Sequence, residues 1–182
     1  MLSSREEFAK GIHAAASRVV AKRGGEPWMA WWMTAISCLE SKWGEKAVGH
    51  NTIGYHWIPG MPWSGRWLEA RESMTGEVRR YRWFESHDEC MAALHYLIGR
   101  SKNYAEARRA YEVARDDALL AMEVARYGFV DGFSVVYCSA DPAHGKTVLG
   151  VMGEIRGVLG LDDDAGSPSD RSGGQHPSGA VG

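Results

Sequence analysis

The chain has 182 residues, 45% of them apolar and 24% charged, enough for one domain with a substantial core. Its 21 Lys+Arg stand against 23 Asp+Glu for a net charge of -2, so no basic bias points to nucleic acid or an anionic membrane. No apolar run approaches the roughly 20 residues of a membrane-spanning helix. The 3 cysteines (Cys38, Cys90, Cys138) lack a C-x-x-C pair, and the 7 histidines lack an H-E-x-x-H pair. The cysteines therefore read as buried thiols, and neither a metal nor another cofactor is expected.

In chain order, Phe8, Ile12, Ala15, Ala16 and Val19 recur at helical spacing and predict a helix over about Ser4 to Lys22, stopped by Gly24-Gly25. Pro27 suits a first helical position, and a second helix is expected from there to Trp43-Gly44. Gly, Pro, Asn and Trp dominate 49–65, which reads as loop. Alternating stretches at Arg66–Ser73 and Val78–Phe84 flank Thr75-Gly76 and predict a β-hairpin with a two-residue turn. Ser86-x-x-Glu89 is a capping-box pattern opening a helix through Met91, Leu94, Leu97 and Ile98. Further helices are expected over 104–114 and 117–127, and a last one from Asp141-Pro142 to Gly160. From Asp162 onward the Asp/Gly/Ser/Pro composition cannot form a core. The expected organisation is a domain over 1–160 and a disordered tail or linker over 161–182, with a mainly α (α+β) fold carrying one hairpin lobe.

Two features suggest a site. Of 8 tryptophans, five lie between Trp28 and Trp57, and Trp63 and Trp67 follow at once. The segment PWMAWWMTAISCL has no charge, so its helix is apolar on several faces and central. Glu40 is its first ionisable residue, in the last turn. Partial burial and the negative end of the helix dipole both disfavour a carboxylate there. Both effects raise its proton affinity, as a general acid near neutral pH requires. The plainer reading is a Glu whose head reaches solvent at a helix end.

LESKWGEKAVGHNTIGYHW (39–57) resembles the E-S-G-W-G … N-L-F-G-I-K signature of the glucosaminidase family of peptidoglycan hydrolases, glycoside hydrolase family 73. Glu40, Ser41, Trp43 and Gly44 match its first block, with Lys42 in place of a glycine. Asn51, Ile53 and Gly54 match the second. Arg80-Tyr81-Arg82-Trp83-Phe84-Glu85-Ser86 is similar to the family's F-R-x-Y-x-S block, and Asn103-Tyr104-Ala105 follows the next helix as in the family. Tyr137-Cys138-Ser139-Ala140-Asp141-Pro142 resembles its Y-A-T-D-P block with one extra residue, and His144 stands where a tyrosine is usual. The resemblance covers roughly residues 6–158. It implies a lysozyme-like helical domain with a small β-lobe, a groove between the two, cleavage of the β-1,4 glycan backbone of peptidoglycan, and Glu40 as proton donor.

Glycoside hydrolysis normally needs a second group. Glu69, Glu72 and Glu77 are the hairpin's candidates. With a two-residue turn, Glu69 would face Arg82 as an ordinary ion pair, and Glu72 would share a face with Leu68 and Ala70, opposite Arg79, Tyr81 and Trp83. Ala70-Arg71-Glu72-Ser73-Met74-Thr75-Gly76 fits the family's T-x-E-x-x-N-G hairpin with two changes, which favours Glu72 as catalytic; a structural ion pair with Arg79 is the alternative. The resemblance makes Tyr137 a third groove residue, or else a half-buried loop tyrosine. Tyr55, Trp57, Trp63 and Trp67 could stack on pyranose faces or form the small lobe's core. Asn51 is a substrate-contact candidate that more simply braces the loop behind Glu40.

The expected function is an endo-β-N-acetylglucosaminidase acting on peptidoglycan strands as a monomer. Alternatives are a muramidase or lytic transglycosylase on the same fold, or a non-catalytic wall-binding or virion protein. The acidic N-terminus does not resemble a signal peptide, so synthesis in the cytosol is expected, with release through a phage-type membrane pore or carriage on a virion.

Overall fold

A helix with acids in its first turn and bases in its last is favoured by its own dipole, and α1 (Ser4–Arg23) has both: Glu6 and Glu7, then Lys22 and Arg23. Its Ala9, Ile12, Ala15, Ala16, Val19 and Val20 are buried, a stripe that packs against α2 and α3. In this computed structural model, residues 4–60, 65–72, 75–100, 102–105, 108–109 and 143–160 are described, with only the backbone of Trp28 and Asn103. Gly24, at φ 84°, ends α1 by donating to the Val20 carbonyl at 2.9 Å.

The second helix, α2 (Pro27–Glu40), starts on its proline as predicted. Every residue from Trp32 to Cys38 is buried, so this is the central helix that its charge-free sequence implies. Its hydroxyls do not compromise that position, because Thr34 donates back to the Ala30 carbonyl at 2.7 Å. The helix ends three to four residues before the expected Trp43-Gly44. The Trp43 amide donates to the Cys38 carbonyl at 2.7 Å and the Lys42 amide to the Leu39 carbonyl at 3.2 Å, the paired bonds of a Schellman stop. Lys42 and Trp43 both sit in the left-handed region, at φ 48° and 57°.

Two strands, β1 (Trp67–Arg71) and β2 (Val78–Arg82), form an antiparallel hairpin. The two-residue turn is not formed. Glu69 pairs with Arg80 and Leu68 with Tyr81, leaving a six-residue connection in which the Glu72 amide donates to the Glu77 carbonyl and the Gly76 amide to the Glu72 carbonyl. Thr75-Gly76 lacks the left-handed pair that a two-residue primed turn demands at both positions, since only Gly76 has positive φ among the described residues there. Each β1 residue therefore faces a partner two places earlier than expected. A slip of two preserves the faces, so Leu68, Ala70, Arg79 and Tyr81 still share the inner one. The segment 55–57 runs beside β2 through the His56–Tyr81 bridge.

The third helix, α3 (His87–Arg100), opens on the predicted cap: the Glu89 amide donates to Ser86 Oγ at 3.2 Å. Glu89 Oε2 reaches back one residue further than the usual box, to the Glu85 amide at 2.7 Å. A short 3-10 turn (Lys102–Tyr104) follows, and α4 (His144–Leu159) packs on α2 and α1. Ile12, Trp32, Met33, Ile36, Phe84, Met91, Leu94, Val148 and Ile155 fill one core among α1–α4. The fold is mainly α with a small two-stranded lobe, as expected. The predicted helices over 104–114 and 117–127 lie almost wholly outside the described residues, as do Asp141-Pro142 and the tail.

Candidate active site

A cleft of about 620 Å³ opens between the C-terminal end of α2 and the inner face of the hairpin. Glu40 and Ser41 line one wall; Glu72, Gly76 and Tyr81 line the other; Asn51, Thr52, Ile53 and Gly54 form the floor between them. The sequence-predicted pair, Glu40 and Glu72, thus shares one concavity.

Glu40 is the last residue of α2, held there by the turn that follows it. Ser41 Oγ donates to the Ser37 carbonyl at 2.6 Å and accepts from the Gly44 amide at 2.9 Å, so one hydroxyl ties the helix end to the returning loop. Gly44 must be glycine for two reasons. Its φ is 91°, and an added Cβ would stand 2.6 Å from Phe8 Cδ2. The Glu40 side chain is open to the cleft, yet the surrounding walls withhold enough bulk solvent that desolvation raises its pKa above the usual glutamate range. Exposure and the raised pKa are compatible, because a carboxyl in a concavity touches water on one side only.

Glu72 is held differently. Arg79 Nη2 lies 3.1 Å from its Oε2, and Thr75 Oγ1 donates to the same oxygen at 2.5 Å. The ion pair anticipated with Arg79 is therefore present, with Glu72 lining the cleft and Arg79 behind it. Glu69 lies on the opposite face of the hairpin from Tyr81, 3.5 Å from Arg80 Nε and half-exposed. Glu77 is paired with Arg79 at 3.1 Å at the turn. Neither lines the cleft.

Asn51 is 2% exposed and spends its amide on backbone: Nδ2 donates to the Tyr55 and Arg82 carbonyls at 2.9 and 3.0 Å, and Oδ1 accepts the Tyr55 amide at 3.0 Å. It borders the cleft, but its amide braces the loop, the simpler of its two expected roles. Thr52 adds a deeper tie, donating to Ser37 Oγ at 3.0 Å.

The aromatic residues fall elsewhere. Trp57 and Trp67 lie 5.9 Å apart, with Arg80 4.3 Å over Trp67 and 5.8 Å over Trp57. That stack occupies the hairpin face away from Tyr81, so the two tryptophans form part of a lobe packing cluster and do not line the cleft. Tyr55 is half-buried against the main core and is likewise not a cleft residue. Tyr137 and Trp63 lie outside the described residues. His144 is buried at the start of α4.

Four ionisable cleft residues were not anticipated: Lys46, His56, Arg71 and Tyr81. His56 stacks edge-on against Tyr81 at 5.1 Å across the bridge joining their backbones. Tyr81 was legible, since hairpin alternation puts it on the Glu72 face. His56 was not, because 49–65 has no alternation to reveal a paired segment. Desolvation, followed by the nearby Glu72 charge, raises the Tyr81 pKa, so its phenol stays protonated as a donor in the cleft. Among the described residues no group of three or more His, Cys, Asp or Glu could hold a metal ion, and no helix is long and apolar enough to cross a membrane.

No protein-family model and no curated protein matches the chain. Solved structures do. A peptidoglycan hydrolase from Sphingomonas sp. A1 is 19% identical with a TM-score of 0.61, over 91% of this chain and 99% of that one. The glycoside hydrolase domain of FlgJ from Salmonella typhimurium is 16% identical with a TM-score of 0.63, over 87% and 92%. The catalytic domain of the autolysin Auto from Listeria monocytogenes is 14% identical with a TM-score of 0.60, over 89% of both chains. The chain has the fold of these three proteins.

Proposed function

We propose that this protein is a glycoside hydrolase that cuts the β-1,4 glycan backbone of peptidoglycan, as an endo-β-N-acetylglucosaminidase, with Glu40 as general acid. The observation that carries the reading is the pairing within one cleft of a carboxyl with raised proton affinity and a second carboxylate held by Arg79. The fold shared with two hydrolases and an autolysin supports the same substrate class.

In this reading Glu40 donates its proton to the glycosidic oxygen as the C1–O bond breaks, and the departing sugar leaves as a neutral alcohol. Positive charge develops on C1 and the ring oxygen. Glu72 faces that charge from the hairpin wall and accepts a proton from the water that attacks C1, or steadies the neighbouring acetamido group if that group attacks first. Arg79 and Thr75 fix the orientation of Glu72, and the Tyr81 hydroxyl is a donor beside it. Asn51 and Ser41 serve by position: their hydrogen bonds keep the floor loop and the helix end that carries Glu40 in place.

The test is mass spectrometry of fragments released from purified sacculi, before and after borohydride reduction. New reducing N-acetylglucosamine ends support the proposal. Reducing N-acetylmuramic acid ends would assign a muramidase, 1,6-anhydro ends a lytic transglycosylase, and binding without release a non-catalytic wall protein.

A further inference from the structure

The cleft's charges do not cancel. Glu72 is paired with Arg79, which it shares with Glu77 outside the cleft. Burial favours the neutral form of Glu40. Lys46 and Arg71, on opposite walls, remain: among the described residues the ion pairs engage Arg18, Arg66, Arg79, Arg80 and Arg82, and neither of these two. Lys46 is anchored through its backbone amide, which donates to the Ser41 carbonyl at 2.8 Å, so it follows Glu40 on the helix-end wall. Arg71 ends β1 and donates through Nη1 to the Gly76 carbonyl at 2.5 Å, a bond that fixes the guanidinium at the rim while leaving its charge unmatched.

Two unmatched cations on facing walls of a concavity focus positive potential into it and draw anions. A guanidinium with free N–H groups suits a carboxylate, and an exposed ammonium on the opposite wall adds a second point of attraction. A neutral polysaccharide offers nothing for either. We propose that Lys46 and Arg71 form a carboxylate-binding pair, through which the cleft selects glycan strands carrying acidic substituents over neutral N-acetylhexosamine polymers. This rests on the peptidoglycan reading and narrows it. The carboxylate has two possible sources on such strands: the stem peptide, or the lactyl group bared when the stem is removed. Their shared chemistry is an exposed carboxylate on the substituent that branches from the sugar chain.

The two ideas are separable by using different proteins for each. Wild-type turnover tests the hydrolase reading. The carboxylate pair is tested by binding of the silenced Glu40→Gln protein to sacculi in co-sedimentation, which needs no turnover. Four substrates are used: intact sacculi, stem-stripped glycan strands, and each again after carbodiimide coupling of its carboxylates to methylamine. Capping is expected to weaken binding about five- to tenfold, the scale of two partly exposed charge contacts. Adding Lys46→Met and Arg71→Gln should produce the same loss on uncapped substrate and abolish the effect of capping. Sensitivity confined to intact sacculi assigns the stem carboxylates; sensitivity confined to stripped strands assigns the lactyl group. Equal binding to capped and uncapped forms of both substrates overturns the proposal, as does a double variant that keeps the full preference. Should the double variant fold poorly, a salt titration of Glu40→Gln decides: 0.5 M NaCl, about a 4 Å screening length, must weaken binding to uncapped sacculi and spare capped ones.

Discussion

The amide of Trp43 donates to the carbonyl of Cys38 at 2.7 Å, and this bond between two residues flanking Glu40 turns the chain immediately after the candidate acid. The turn is made without glycine at its left-handed position. Lys42 takes φ 48° and Trp43 φ 57°, so the end of α2 holds its shape against backbone strain supplied by the sequence itself.

Relieving that strain should stabilise the protein. Lys42→Gly removes a left-handed penalty of about 1–2 kcal/mol and adds unfolded-chain entropy of about half that, for a net gain of about 0.5–1 kcal/mol. The expected rise in Tm is about 1–4 °C for a chain of this size. Calorimetry checks it, and a lower Tm would show that the Lys42 side chain does more than occupy the turn.

Glu40→Gln should lower hydrolysis by about 10²–10⁴-fold, the usual contribution of a general acid. It should also change stability with a definite sign. Burial raises the folded-state pKa of Glu40, so the folded protein binds this proton more tightly than the unfolded chain. Stability is then lost as pH rises from the ordinary glutamate range through the raised folded value. The variant, which has no proton to lose, should be the more stable protein at pH 7–8 and equal to wild type near pH 4. Urea titrations at the two pH values measure this. Wild-type activity should fall on the alkaline side as Glu40 ionises.

Glu72 and Arg79 should separate in their effects. Their side chains are 23% and 37% exposed, so breaking the pair costs at most about 1 kcal/mol of stability from either side. A purely structural pair would lose activity equally through Glu72→Gln and Arg79→Gln. The expected outcome is about a hundredfold or greater loss for Glu72→Gln and less than tenfold for Arg79→Gln, read from initial rates at equal folded fraction.

Asn51→Ala leaves two backbone carbonyls and one amide without their side-chain partner in a buried setting. The expected cost is about 2–4 kcal/mol by denaturant unfolding, because buried polar groups left unmatched lose their full desolvation energy. Asn51→Asp restores the acceptor alone and should recover only part of it.

Much of this architecture was readable in the residues because burial imposes periodicity. The stripe of α1, the charge-free α2 and the cap of α3 are each local patterns with a local cause. Glu40 was readable for the same reason, as the first charge after a helix that tolerates none. What escaped were features decided by pairing at a distance. The register of β1 against β2 depends on the six-residue connection, and 55–57 joins β2 with no alternation of its own. Trp57 and Trp67 could by type be sugar platforms or the small lobe's core; their partner Arg80 is named only by the fold.

Ser37 gives this site its character. Its hydroxyl receives Thr52 from the floor loop and reaches Met91 Sδ on α3 at 3.8 Å, while its carbonyl accepts Ser41 at the helix end. A single residue at the centre of the domain, on the acid's own helix, is thus knotted to that helix's end, the groove's base and the opposite helix. Such a protein has little means of adjusting its reaction centre independently of its interior: random substitutions deep in the body should surface as catalytic defects, and an evolutionary change of substrate has its freest path through the hairpin.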